Sequence, residues 1–103
     1  MFEDADMSDI AASLQAHRND ILSAAARHGA HAIRVFGSVA RGQSTDASDV
    51  DFLVEMGEDS TLLDRAALML ELRAILGCDV DVVTERSLKP RVRAGILREA
   101  VSL

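Results

Sequence analysis

The segment Asp49–Met56 constrains the fold most, because its residues alternate in character without interruption. One set of alternate positions is wholly apolar and comprises Val50, Phe52, Val54 and Met56. The other set is more polar and comprises Asp49, Asp51, Leu53 and Glu55. A period of two is that of a β-strand, whose successive side chains point to opposite faces. The sequence therefore predicts a strand that buries one face and presents carboxylates on the other.

The rest of the chain predicts helices and strands in alternation. Helices are expected over Ser8–His28, Ser38–Arg41 (a short one), Thr61–Gly77 and from Pro90 onward, and further strands over His31–Phe36 and Asp79–Val83. The polar stretch Gln43–Ser48 is typical of a turn. This order favours an α/β or α+β fold, in which helices flank a small mixed β-sheet.

Length and composition limit the classes of protein that remain. A chain of 103 residues predicts a single domain over residues 1–103, in which the acidic residues 1–9 form a flexible N-terminus. The longest apolar run is Ala66–Leu70, and the N-terminus is unlike a signal peptide, so we expect no membrane association. One cysteine, Cys78, favours the cytoplasm. A net charge of −6 and the absence of Trp and Tyr argue against direct nucleic-acid binding.

Three aspartates are the first candidate site. Asp49 and Asp51 point the same way from one strand, about 7 Å apart along it. Asp81 lies in a second strand of the same pattern. Carboxylates that converge repel one another by about 1–4 kcal/mol per pair, and oxygen ligands suit Mg²⁺ or Mn²⁺. The alternative is that these are solvent-facing aspartates on an exposed sheet face, and a D-x-D motif alone does not decide between the two.

A second candidate site precedes the aspartates. Gly37 and Ser38 follow a predicted strand and open a predicted helix, where free backbone N–H groups can bind an anion. Ser38 could equally be a simple helix cap. Arg41 lies in the turn that follows and could reach a phosphate. Ten residues separate the pair Gly37-Ser38 from Asp49, and the combination is more specific than either motif alone.

The segments Gly37–Gly42 and Ser48–Val54 together resemble the signature of the nucleotidyltransferase superfamily built on the DNA polymerase β fold. The segment Leu76–Thr84 is similar to the strand that carries the third carboxylate of that family. The resemblance covers about residues 30–100. It is greatest to the minimal nucleotidyltransferases, the MntA-like antitoxin partners of HEPN-domain toxins.

The resemblance implies a polymerase β-like core and a role for each candidate residue. Asp49 and Asp51 would bridge two Mg²⁺ ions, and Asp81 would bind the ion nearest the incoming nucleophile. Gly37 and Ser38 would hold the β- and γ-phosphates of a nucleoside triphosphate, with ATP as the expected substrate. The reaction would be in-line attack on the α-phosphate with release of pyrophosphate, and two metal ions suit such a displacement.

The resemblance also implies a partner. A chain of this size has no second domain to grip an acceptor, so we expect a hetero-oligomer with a HEPN-domain ribonuclease toxin. AMP would be transferred to a tyrosine hydroxyl of that toxin and would neutralise it. One alternative is a non-catalytic antitoxin that inhibits by occlusion and retains vestigial carboxylates. A nucleotidyltransferase that modifies a small molecule is less favoured, because no second domain would enclose the substrate.

Overall fold

A computed structural model describes residues 10, 12–42 and 49–103 as one four-stranded sheet with flanking helices. In chain order the elements are α1 (Arg18–Arg27), β1 (Ala30–Phe36), β2 (Val50–Met56), α2 (Leu62–Leu76), β3 (Val80–Thr84), a 3₁₀ turn (Glu85–Ser87), α3 (Pro90–Glu99) and β4 (Val101–Ser102). The expected flexible N-terminus, residues 1–9, and the predicted turn Gln43–Ser48 lie outside the described residues.

The sheet is mixed, as the sequence predicts, and its strand order is β3-β2-β1-β4. Strand β2 runs antiparallel to β1 and parallel to β3, and β4 runs antiparallel to β1. The amino ends of β2 and β3 therefore meet at the same edge of the sheet as the carboxyl end of β1. This edge carries every candidate residue that the structure describes.

Most of the core lies on one face of the sheet and follows the alternation predicted for β2, whereas Leu53, on the other face, is also buried. Val50, Phe52 and Val54 are at most 1% exposed, and Val80 and Val82 of β3 join them. Helices α1 and α2 cover this face with residues that are completely buried, namely Ile21, Ala24, Leu68 and Leu72. Burial of this apolar face fixes the register of β2, because a shift by one residue would bring its carboxylates into the core.

Helix α2 has the ends that the sequence predicts. The Thr61 side chain accepts a hydrogen bond from the Asp64 N–H, and the Asp64 carboxylate accepts one from the Thr61 N–H over 2.9 Å. This reciprocal capping box satisfies two donors at the helix start. At the other end Gly77 adopts a left-handed conformation with φ of 69°, which a glycine tolerates at little cost.

The first predicted helix, Ser8–His28, is interrupted within its length. Residues 12–16 are helical, His17 is a turn, and α1 begins at Arg18. Hydrogen bonds from His17 N to Ser13 O (2.9 Å) and from Ile21 N to His17 O (2.8 Å) continue across the interruption. The break is therefore a local change in backbone angle. None of the helices in the described part of the chain is long and apolar enough to cross a membrane.

The short helix predicted over Ser38–Arg41 is wrong, since this segment forms hydrogen-bonded turns. Gly37 and Gly42 both have positive φ, 78° and 71°, and limit the helical stretch to the four residues between them. The Arg41 N–H bonds to the Gly37 carbonyl over 3.1 Å, a single turn that does not propagate. Strand β4 is an element that the sequence did not predict, because two residues carry no periodicity.

Candidate active site

Asp51 and Asp81 lie side by side on parallel strands. They are Cα partners in the pairing of β2 with β3, and such partners lie about 4.8 Å apart. Asp49, two residues before Asp51, lies just before the start of β2. Asp51 is half-buried, whereas Asp49 and Asp81 are exposed. The fold thus brings the three predicted aspartates to one edge and one face of the sheet.

Negative charge accumulates around Asp51. Burial raises the pKa of its carboxyl above the ordinary range, and the charges of Asp81 and Asp49 raise it further. The Arg41 guanidinium lowers the pKa, and a fourth carboxylate, that of Glu99, raises it. An anionic Asp51 is therefore costly in the free protein, and a cation at this edge of the sheet would offset the cost.

Gly37 packs directly against Asp51. A Cβ built on Gly37 would clash with Asp51 Oδ2, so the Asp51 carboxylate would have to move to admit it. The φ of 78° is also one that favours glycine. Two independent features therefore favour glycine as the first residue of the predicted phosphate cradle. Half-buried Ser38 follows it, in a tight turn where the sequence predicted a helix N-terminus.

Glu99 belongs to this site and was missed by the reasoning from sequence. The Gly37 N–H donates to Glu99 Oε1 over 2.8 Å. Arg41 Nη1 lies 3.2 Å from both carboxylate oxygens of the same residue. No local pattern marks Glu99, which is the last residue of α3 and lies 62 positions from Gly37. Its place depends on the pairing of β4 with β1.

The three aspartates are chemically suited to bind a magnesium ion. Asp49, Asp51 and Asp81 offer only carboxylate oxygens, which are the ligands that Mg²⁺ prefers. After burial, the charges of Asp81 and Asp49 are the largest causes of the raised pKa of Asp51, so the three carboxylates lie within electrostatic reach of one another. Within residues 10, 12–42 and 49–103, however, no three His, Cys, Asp or Glu side chains are gathered closely enough to hold a metal ion. The three aspartates are therefore near one another but do not form a complete metal-binding site by themselves.

Cys78 adjoins this edge and has no catalytic features. Burial raises the pKa of its thiol, and the charges of Asp79 and Asp49 raise it further. The thiol therefore stays protonated at neutral pH, and a protonated thiol is a weak nucleophile.

A family model described as a nucleotidyltransferase domain matches residues 19–103, which include the whole sheet and the candidate site. The chain belongs to this family. The match confirms the resemblance seen in the motifs around Gly37 and Asp49, and it extends over α1, before the first of those motifs.

Curated relatives include proteins from two archaea. The protein adenylyltransferase MntA of Thermococcus cleftensis is 39% identical over 95 residues, which cover 92% of this chain and 93% of that protein. A protein of Methanocaldococcus jannaschii assigned as a protein adenylyltransferase is 44% identical over 77 residues, which cover 75% of this chain and 83% of the relative.

Solved structures confirm the fold. A structure assigned as a minimal nucleotidyltransferase is 51% identical, with a TM-score of 0.82 over 95% of this chain and 96% of the other. A toxin–antitoxin structure, a mutant of MntA–HpeT, contains a chain that is 26% identical, with a TM-score of 0.68 over 84% of this chain and 70% of the other. The mixed sheet with flanking helices is therefore the minimal nucleotidyltransferase fold.

Proposed function

We propose that this nucleotidyltransferase is an antitoxin that transfers AMP from ATP to a tyrosine hydroxyl of a HEPN-domain ribonuclease toxin. The observation that carries the proposal is the juxtaposition of Asp51 and Asp81 on parallel strands with the Gly37 turn packed against Asp51. The similarity to a protein adenylyltransferase over 92% of the chain supports AMP as the transferred group.

In this proposal ATP is the donor, and its triphosphate lies along the turn that begins at Gly37 and Ser38. Arg41 adds positive charge at the same place. Asp49, Asp51 and Asp81 would hold Mg²⁺, which would neutralise phosphate charge and stabilise the negative charge that develops on the attacking and leaving oxygens. The excess of carboxylates around Asp51 supports this assignment, because a bound cation would offset the repulsion between them.

The transfer is a displacement at phosphorus. The acceptor hydroxyl oxygen forms a bond to the α-phosphorus, the bond from that atom to the β-phosphate bridging oxygen breaks, and pyrophosphate leaves. The hydroxyl proton is released to solvent. A phenol has a pKa near 10, so its attack at neutral pH depends on stabilisation of the phenolate by the cationic site.

The acceptor belongs to another molecule, because this chain contains no tyrosine. The similarity to the MntA–HpeT structure supports a toxin as the partner. Addition of AMP would bring bulk and negative charge to a ribonuclease surface that must accept an RNA phosphate, and both would oppose catalysis.

The experiment is an intact-mass measurement on a HEPN-domain protein encoded beside this chain. The partner is incubated with ATP, Mg²⁺ and either the wild type or Asp49→Asn. We expect a mass increase of one or more AMP units with the wild type and none with Asp49→Asn. No increase, together with suppression of the toxin in a stable complex, would instead establish inhibition by occlusion.

A further inference from the structure

The position of Glu99 follows from the end of the chain. Glu99 closes α3, and Val101, two residues later, pairs with Val35 of β1. Gly37 lies two residues beyond Val35. The antiparallel pairing of β4 with β1 therefore places Glu99 beside Gly37, so a two-residue strand brings a carboxylate from α3 to the site.

The Glu99 carboxylate connects the two ends of one turn. Its Oε1 accepts from the Gly37 N–H over 2.8 Å, and both of its oxygens lie 3.2 Å from Arg41 Nη1. The turn between these residues contains Ser38 and closes through the bond from Arg41 N to Gly37 O. Charge-assisted hydrogen bonds of this kind are stronger than neutral ones. One side chain thus fixes both the peptide plane at Gly37 and the direction of the Arg41 side chain.

The other side of the Gly37 backbone is also occupied. Asp51 Oδ2 lies so close to the position of a Gly37 Cβ that the two atoms would clash. The Gly37 peptide is therefore held between Asp51, on the strand that carries the aspartates, and Glu99, on α3. The distance between the phosphate-binding turn and the aspartates is set by this arrangement.

We propose that Glu99 is a positioning residue, whose carboxylate holds the Gly37–Arg41 turn in the orientation that receives the triphosphate beside the aspartates. The inference rests on the function proposed above and adds a residue to it. Glu99 touches neither the reacting phosphorus nor the acceptor in this role; it acts through Gly37 and Arg41. Because Glu99 orients only the nucleotide site, its replacement should weaken ATP binding and leave binding of the partner protein unchanged.

The competing interpretation is that Glu99 occupies donors that a phosphate would otherwise take. The two interpretations predict opposite changes in nucleotide affinity. Three variants separate them: Glu99→Gln keeps the length and an acceptor oxygen, Glu99→Asp keeps the charge and loses one methylene of reach, and Glu99→Ala removes both. Glu71→Ala is the matched control, since Glu71 also pairs with an arginine, Arg27, at a distance from the site.

The test measures ATP affinity in the presence of Mg²⁺ by calorimetry, and the KM values for ATP and for the partner in the transfer assay. For Glu99→Ala and Glu99→Asp we expect both the Kd and the KM for ATP to rise about tenfold, as loss of a charge-assisted hydrogen bond implies. Glu99→Gln should fall between the wild type and Glu99→Ala, because its amide oxygen still accepts from Gly37 but the charge on the bonds to Gly37 and Arg41 is lost. The KM for the partner should not change, and Glu71→Ala should match the wild type in ATP affinity.

Tighter ATP binding by Glu99→Gln and Glu99→Ala would overturn the proposal in favour of competition with phosphate. Unchanged ATP affinity in Glu99→Asp and Glu99→Ala would also overturn it. If Glu99→Ala does not fold, Glu99→Asp and Glu99→Gln give the same contrast. Wild-type protein that binds ATP and modifies no partner would refute the proposed function, whereas the calorimetric comparison would still decide the role of Glu99.

Discussion

Asp51 and Glu71 are both partly buried carboxylates, and their surroundings displace their pKa values in opposite directions. Burial and the neighbouring Asp81 and Asp49 raise the pKa of Asp51. Hydrogen bonds from His28 and Arg27 lower the pKa of Glu71. Glu71 Oε1 lies 2.8 Å from His28 Nε2 and 3.2 Å from Arg27 Nη1, so it links α2 to the end of α1.

Ionised Glu71 therefore stabilises the folded chain, whereas ionised Asp51 destabilises it. A lowered pKa means that the ionised Glu71 is favoured in the folded chain, and a raised pKa means that the ionised Asp51 is disfavoured there. Neutral pH therefore favours the folded state through Glu71 and opposes it through Asp51. Retention of an unfavourable group of this kind is typical of functional sites.

The largest expected effect is that of Asp51→Asn on AMP transfer. We expect a loss of about 100-fold or more, because the variant removes a charged oxygen from the centre of the site. The melting temperature of the metal-free variant should equal or exceed that of the wild type, since a repelling charge has gone. Glu71→Gln is the matched control and should show the reverse: full transfer and a lower melting temperature. If Asp51→Asn instead loses activity only in proportion to the fraction that is unfolded, Asp51 is a structural residue like Glu71.

The second-largest expected effect is a difference in stability between the alanine variants of two glycines that have similar backbone angles. Gly37 and Gly77 have φ of 78° and 69°, but a Cβ would meet Asp51 at Gly37 and nothing within 4 Å at Gly77. Gly77→Ala should cost about 1–2 kcal/mol, the strain of the left-handed conformation. Gly37→Ala should cost about 3 kcal/mol and also lower transfer, because it adds a steric clash at the site. Urea unfolding of both variants measures the difference, and equal costs would show that Gly37 does not pack on Asp51 as described.

The smallest effect is the pH dependence that Glu71 confers. Its stabilisation should be fully present above the pKa of an unfolded glutamate, about 4.3, and should be lost as the pH falls through the lower pKa of the folded state. The difference in melting temperature between wild type and Glu71→Gln should therefore shrink as the pH falls below about 4.3 toward the lower pKa of folded Glu71. A difference that persists after Glu71 is protonated would mean that packing, and not the ion pair, is what the variant loses.

The sequence predicts the aspartate side of the site better than the phosphate side. Alternation in β2 and β3 places Asp51 and Asp81 on the face opposite the core, and the structure confirms that placement. Strand alternation is a local property, so one sequence suffices to show it. The helix predicted after Gly37 fails because two left-handed glycines, which no hydrophobic pattern reveals, limit it to a turn.

Glu99 could not be predicted for a different reason. Its contact with Gly37 joins residues 62 positions apart and depends on a strand of two residues. Neither the helix that carries it nor the strand that places it has a pattern pointing to the site. The contact cannot be predicted because the two residues are far apart in sequence, and not because of their chemistry. The roles of Ser38 and Arg41 in holding a triphosphate stay predictions from the motif.

The position of an isotopic label in the products distinguishes transfer of a nucleotidyl group at the aspartate edge from transfer of a phosphoryl group. A HEPN-domain protein encoded beside this chain is incubated with it, Mg²⁺ and ATP that carries the label on either the α- or the γ-phosphate. We predict that the partner acquires the α-label alone, that pyrophosphate carries the γ-label, and that Asp51→Asn transfers neither. Acquisition of the γ-label would show phosphoryl transfer, and equal α-labelling by Asp51→Asn would place the reaction elsewhere; either result would contradict nucleotidyl transfer at this edge.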